Sequence, residues 1–239
     1  MANVMFMPQV LKDAPHVFGV FSDWTEDQAD TQFVDTVTDS GTVLMGDAVG
    51  GQVVLTPSDC TVGDNDEAYL ACPNEIFKVA AGKPLYGECR MKFSEVAGGV
   101  LNFAFAFQNA VGANSIIDTA GGLKVSGDTL GIYKAETTAL KCVSVVNGGT
   151  ATVSTSTFIP TAGTFYTFGI EVVELNSTQG SVVFTVDGVR LKDSNLLDIV
   201  HTITYASSTE MQVFIGLKLG AITNNDTLTS DYLGAFQQR

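Results

Sequence analysis

The sequence predicts an all-β protein, a sandwich of antiparallel strands, on three observations. Almost every segment either alternates at period two or runs apolar for a few residues between Gly, Asn, Asp and Ser. Sustained helical periodicity is nearly absent. Of the 239 residues, 45% are hydrophobic, 15 Phe among them, and only 16% are charged, which supplies a core and leaves the surface to Thr, Ser, Asn, Gln and Gly. That composition excludes a disordered chain. Without a linker or low-complexity tract, residues 25–239 read as one domain, with 1–24 as an N-terminal arm or a first strand.

The elements follow in order. Residues 33–38, 42–46 and 52–56 are separated by Asp39-Ser40-Gly41 and Gly50-Gly51, which predicts a meander of three short strands. Residues 85–96 alternate Leu85, Gly87, Cys89, Met91 and Phe93 against Tyr86, Glu88, Arg90 and Lys92, a long strand with one mostly buried face. In 100–107, Phe103, Phe105 and Phe107 share a face and are expected in the core. After a Gly-rich stretch, 132–134 and 140–146 form a hairpin around Glu136-Thr137-Thr138, and 151–158 is a Thr/Ser-rich strand on a solvated face. The C-terminal third gives strands at 165–175, 181–186, 189–193, 211–219 and 227–236, with Asp187-Gly188 marking a type I′ hairpin. Short helices are expected at 25–33, capped by Thr25, and at 194–200.

Charge narrows the partners. Twelve Lys+Arg against 26 Asp+Glu give −14, and the few basic residues are scattered, which argues against nucleic acid. No apolar run is long enough for a membrane span, and the first residues have neither the basic nor the apolar region of a signal peptide. Cys60, Cys72, Cys89 and Cys142 form no C-x-x-C pair and are expected as reduced, mostly buried thiols; with only two His, no metal or cofactor is expected.

Residues 64–107 and 163–233 resemble the concanavalin A-like lectin/glucanase jelly roll. The resemblance rests on Tyr86-Gly87-Glu88-Cys89-Arg90-Met91-Lys92, Phe103-Ala104-Phe105-Ala106-Phe107, Phe165 to Val172, Val183-Phe184-Thr185-Val186-Asp187-Gly188 and Met211 to Lys218. Over about 200 residues, the segment 33–56, Gly216-Leu217-Lys218-Leu219-Gly220-Ala221 and Asn224 to Tyr232 are further similar to virion proteins of tailed bacteriophages with this jelly roll. That resemblance implies a capsid decoration or cement subunit on the virion surface, assembled in the host cytoplasm, with the major capsid protein and copies of itself as partners. The alternative is a carbohydrate-binding adhesin module of the same fold, with a glycan as ligand.

Candidate chemistry is thin. Glycosidases of this jelly roll carry an E-x-D-x-x-E run, which this chain lacks. Its nearest pair, Glu171 and Glu174, lies three apart on a strand and faces opposite sides. No G-x-S-x-G occurs, so no catalytic residue is assigned. Asp64-Asn65-Asp66-Glu67 and Asn224-Asn225-Asp226 offer oxygen ligands for Ca²⁺, and are equally the usual residues of turns before strands. Trp24, Tyr133 and Tyr166 are candidates for a sugar platform, or for core and rim. Phe6, Phe18, Phe21 and Trp24, with three Met, form the densest apolar cluster outside the predicted strands, and are expected to be the capsid or subunit interface.

Overall fold

The computed structural model describes residues 17–24, 32–38, 41–46, 51–57, 66–95, 101–117, 122–125, 127–135, 139–206, 208–219 and 226–239. They contain eighteen strands and no helix. In chain order these are β1 (Val17–Ser22), β2 (Val34–Val37), β3 (Thr42–Gly46), β4 (Gln52–Thr56), β5 (Glu67–Ala71), β6 (Leu85–Phe93), β7 (Leu101–Gln108), β8 (Ile116–Ile117) and β9 (Gly122–Leu123). They continue as β10 (Thr129–Lys134), β11 (Lys141–Val145), β12 (Thr152–Thr155), β13 (Tyr166–Asn176), β14 (Gln179–Val186), β15 (Val189–Arg190), β16 (Val200–Thr204), β17 (Gln212–Leu219) and β18 (Leu228–Gln238).

Two antiparallel sheets face each other. One runs β15-β14-β13-β6-β18-β4-β3, with β1 added to β18 and β16 to β14; the other runs β12-β11-β10-β7-β17-β5-β2. Period two dictates what lies between them. Phe103, Phe105 and Phe107 of β7 are at most 1% exposed and meet Phe168 of β13 and Phe77, with Phe103–Phe168 centroids 6.0 Å apart and Phe77–Phe107 5.4 Å apart. Each such side chain contributes about 1.5–3 kcal/mol by leaving water. Gly87 of β6 leaves the room they need, since a Cβ there would stand 2.6 Å from the Phe107 ring. Cys72, Cys89 and Cys142 are buried free thiols, as expected, and burial pushes the Cys89 and Cys142 thiols up. Cys60 lies outside the described residues.

The predicted type I′ turn is present: Asp187 and Gly188 have φ of 50° and 75°, and Val186 pairs with Val189. Three expectations are corrected. Residues 33–56 are not one meander, because β2 pairs with β5 in the seven-stranded sheet while β3 and β4 form a hairpin in the other. Strand β6 is buried on both faces in its first half, where Tyr86 and Glu88 are 9% and 6% exposed. Residues 194–200 form a turn instead of a helix: Asp193 Oδ1 accepts the Asn195 and Leu197 amides at 2.8 and 3.0 Å, and Leu196 sits at φ 63°. An Asp side chain that captures local amides competes with the helix it precedes. Of the other predicted helix, residues 25–31 lie outside the described set.

Candidate functional site

A sandwich buries one face of each sheet, so chemistry or recognition must be built on the outer faces or the rim. The outer face of the seven-stranded sheet has a floor of small residues, Ala104 and Ala106 on β7, Gly131 on β10 and Gly216 on β17. Larger side chains settle onto it. A Cβ on Gly216 would stand 2.2 Å from the Tyr69 ring, and one on Gly131 would stand 2.4 Å from Leu123. Tyr69, Phe214, Tyr133, Ile116 and Leu123 thus form a second apolar cluster, every member at most 5% exposed. Ile116 and Leu123 belong to the β8–β9 hairpin, which covers this face as a flap.

The flap is fastened at both ends. At one end Gln212 Oε1 accepts the Val111 amide at 2.9 Å and Gln108 Nε2 donates to the Lys124 carbonyl at 2.7 Å. At the other end Glu67 of β5 accepts the Asn114 amide at 2.9 and 3.0 Å and the Tyr69 hydroxyl at 2.6 Å, while that hydroxyl accepts the Ile116 amide at 3.0 Å. Burial and the Glu67 carboxylate push the Tyr69 phenol far above its usual range. Lys218, opposite Glu67 in register, is 0% exposed at its side chain; its Nζ lies 3.6 Å from Glu67 Oε2 and donates to Asn114 Oδ1 at 2.6 Å.

The outer face of the nine-stranded sheet is built differently. Glu88 on β6 is flanked in register by Gly169 on β13 and Gly234 on β18, so no side chain stands beside it. Tyr86 and Tyr232 close over it instead, each donating its hydroxyl to one Glu88 oxygen, the Tyr232 bond being 2.5 Å. Tyr232 faces outward because β18 bulges at Asp231, which inverts the alternation and sends Asp231 to an ion pair with Arg90. Glu171 stands opposite Tyr86 in register, half-buried, and burial raises its carboxyl pKa against the lowering effect of Arg190. Glu88 and Glu171 are thus diagonal neighbours, about 7–8 Å apart at their backbones. Tyr86 fills the space between them, and both Glu88 oxygens are already hydrogen-bonded.

The residues singled out from the sequence fall as follows. Phe6 lies outside the described residues. Phe18 and Phe21 sit on β1, which pairs with β18 along its length; Phe18 stacks on Phe77 at 5.8 Å and Phe21 packs on Tyr232 at 5.9 Å. Trp24 is 3% exposed, 5.4 Å from Phe33, with Nε1 donating to Ser230 Oγ at 3.4 Å. The structure therefore places Trp24 inside the chain's own core, and Tyr133 under the flap. Tyr166 lies in an aromatic row between Phe158 and Phe168. Asp66 and Asp226 are buried instead of standing in exposed turns; Asp64, Asn65, Asn224 and Asn225 lie outside the described residues, and no metal-binding cluster of His, Cys, Asp or Glu occurs among those described. Sequence reasoning missed Glu67, Asn114 and Lys218 as a group, and Glu88 with its two tyrosines. The one available signal was a charged residue inside an otherwise apolar strand.

No family model matches the sequence, and no curated protein matches it. Solved structures do. An endo-1,3-β-glucanase from Streptomyces sioyaensis matches with TM-score 0.61 at 12% identity, over 98% of this chain and 99% of that one. Arcelin-5, a lectin-like defence protein from Phaseolus vulgaris, matches with TM-score 0.57 at 10% identity, over 94% and 99%. The carbohydrate recognition domain of Emp47p matches with TM-score 0.56 at 12% identity, over 94% and 98%. The fold is therefore the concanavalin A-like lectin/glucanase jelly roll, which serves enzymes and lectins alike.

Proposed function

We propose that this chain is a non-catalytic structural protein, a capsid decoration or cement subunit of a tailed-phage virion that contacts the major capsid protein and copies of itself. The observation that carries the reading is the flap: the outer face of the seven-stranded sheet is filled by the chain's own Ile116, Leu123, Tyr133 and Phe214. The outward residues of β10 are Thr129, Gly131 and Tyr133, with no carboxylate among them. What this jelly roll offers is a packed body with uncharged stretches of strand, Thr152–Thr155 on β12 among them, and exposed aliphatic residues along its rim. The virion assignment draws on the sequence resemblance in 33–56, 216–221 and 224–232.

The test is copy number in purified virions by quantitative mass spectrometry. Hundreds of copies per particle, with rebinding of the purified protein to stripped heads, are expected; a handful would reject the reading. With a charge of −14, subunits repel one another in solution, so added salt should promote their association. A glycan-binding module is the second reading, favoured by the lectin-like structures of the same fold. A specific hit on a glycan array, with no retention on heads, would select it.

A further inference from the structure

The end of the flap holds a lysine, an asparagine and a glutamate in an arrangement that a salt bridge alone does not require. Lys218 Nζ is 2.6 Å from the side-chain carbonyl oxygen of Asn114, which places Cγ one carbonyl bond further on. Glu67 Oε2 lies 3.6 Å from the same Nζ, within the reach of a small side-chain rotation. The side chains of Lys218 and Glu67 are 0% and 2% exposed. Asn114 is held in place through its own backbone, with its amide bonded to both Glu67 oxygens and its φ at 62°. Tyr69, which donates to Glu67, and Ile116, whose amide bonds the Tyr69 hydroxyl, belong to the apolar cluster beside them. The amine and the proton carrier are thus buried, and the amide carbon is brought against them from the exposed end of the flap by the bonded backbone of Asn114, which lowers the entropic barrier to their reaction.

We propose that Lys218 and Asn114 join in an intramolecular isopeptide bond, formed by the folded chain itself with Glu67 as proton carrier. Lys218 gives a proton to Glu67, and the freed lone pair on Nζ adds to Asn114 Cγ. Glu67 then passes that proton to Nδ2, the Cγ–Nδ2 bond breaks, and the departing ammonia takes the surplus proton from Nζ and leaves as ammonium. One amide C–N bond forms and one breaks, nothing is oxidised or reduced, and Glu67 ends as it began. The bond staples the flap to β17 across 104 residues of chain. It would suit a protein built to withstand force or heat.

The experiment is intact-mass spectrometry of the full-length chain, followed by tryptic mapping. Loss of ammonia lowers the mass by about 17 Da. The expected result is that deficit in the wild-type chain, together with a branched peptide in which 93–124, carrying Asn114, is joined to 193–239, uncut after Lys218. Glu67→Gln, which keeps an acceptor for Tyr69 and the Asn114 amide, should return the full sequence mass while circular dichroism still shows the folded β protein. Asn114→Ala, at an exposed loop position, should do the same. Full mass in the wild type overturns the proposal. So does a 17 Da deficit confined to the Asn114 peptide, which a succinimide at Asn114-Ser115 would give, or a branch mapped to any other pair. Persistence of the branched peptide in Glu67→Gln would overturn the role given to that carboxylate.

Discussion

The two outer faces of the sandwich each carry a glutamate held by a tyrosine two residues away on the same strand, Glu67 with Tyr69 and Glu88 with Tyr86. On the seven-stranded sheet the glutamate faces a buried lysine and lies under a flap; on the nine-stranded sheet it faces a second tyrosine and half-exposed neighbours. The difference lies in the cost of error. A buried charge tolerates loss of a partner badly, because the protein interior cannot solvate what is left, whereas a carboxylate under two phenols retains one when the other goes. The flap side should therefore be brittle and the other side forgiving.

The largest effect tests brittleness directly. In the Asn114→Ala background, where Lys218 keeps its ammonium, Glu67→Ala leaves that ammonium without its countercharge and should cost about 3–5 kcal/mol in urea unfolding. Adding Lys218→Met, an apolar side chain of similar volume, should recover at least half of that loss. Equal losses in the single and double variants would mean that the two charges are not coupled, and the contrast between the faces would fall.

Next are the hydroxyls. Tyr232→Phe removes one of two phenolic hydrogen bonds to Glu88 and should cost about 1.5–3 kcal/mol, as for a bond to a charged group. Tyr69→Phe removes the bond to Glu67 and also leaves the Ile116 amide without an acceptor, which adds about 1–3 kcal/mol. Thermal unfolding of the two variants should therefore rank Tyr69→Phe as the more damaging. The reverse order would show the flap to be the looser of the two faces.

Where the sheets meet at their edge, acid should act. His201 on β16 lies between Ser144 Oγ of β11 at 2.9 Å and Ser154 Oγ of β12 at 3.0 Å, with its ring 5.1 Å from Phe184, and burial pushes its pKa down to about 4 from 6.5. Between those values the unfolded chain binds the proton and the folded one does not, so stability falls as pH drops through the window. The slope due to this residue is at most about 1.4 kcal/mol per pH unit. His201→Asn should flatten it. An unchanged slope would show that carboxylates elsewhere set the acid response.

The parts of this architecture that sequence made legible share one physical property, which is locality. Phe103, Phe105 and Phe107 announce a buried face because period two is written in five consecutive residues, and Asp187-Gly188 announces its turn because few other pairs accept two positive φ values. The flap end was not legible, since Asn114 and Lys218 stand 104 residues apart, and a lysine in an alternating strand reads as a solvated position. Lys218 does point outward; the flap that covers it is a feature of tertiary structure. The helix expected at 194–200 failed for a local reason, the Asp193 side chain, which sits one residue before that segment.

The smallest effect concerns the rim, which neither face explains. Leu196 is 69% exposed and sits at φ 63°, a left-handed conformation that costs a leucine about 1 kcal/mol or more and that asparagine accepts more readily. Its neighbours Leu197, Val189 and Val200 are 64%, 65% and 43% exposed. The chain thus keeps an apolar side chain where it gains little burial and incurs backbone strain. Leu196→Asn should raise stability by about 0.5–1 kcal/mol, read as a small rise in Tm. If it does, leucine is retained there for a contact outside the chain, and the rim differs from both faces in being shaped for a partner. A fall in Tm would mean that Leu196 is held by contacts within the chain, and the rim would then follow the same rule as the flap, in which exposure is only apparent and each side chain is fixed by what covers it.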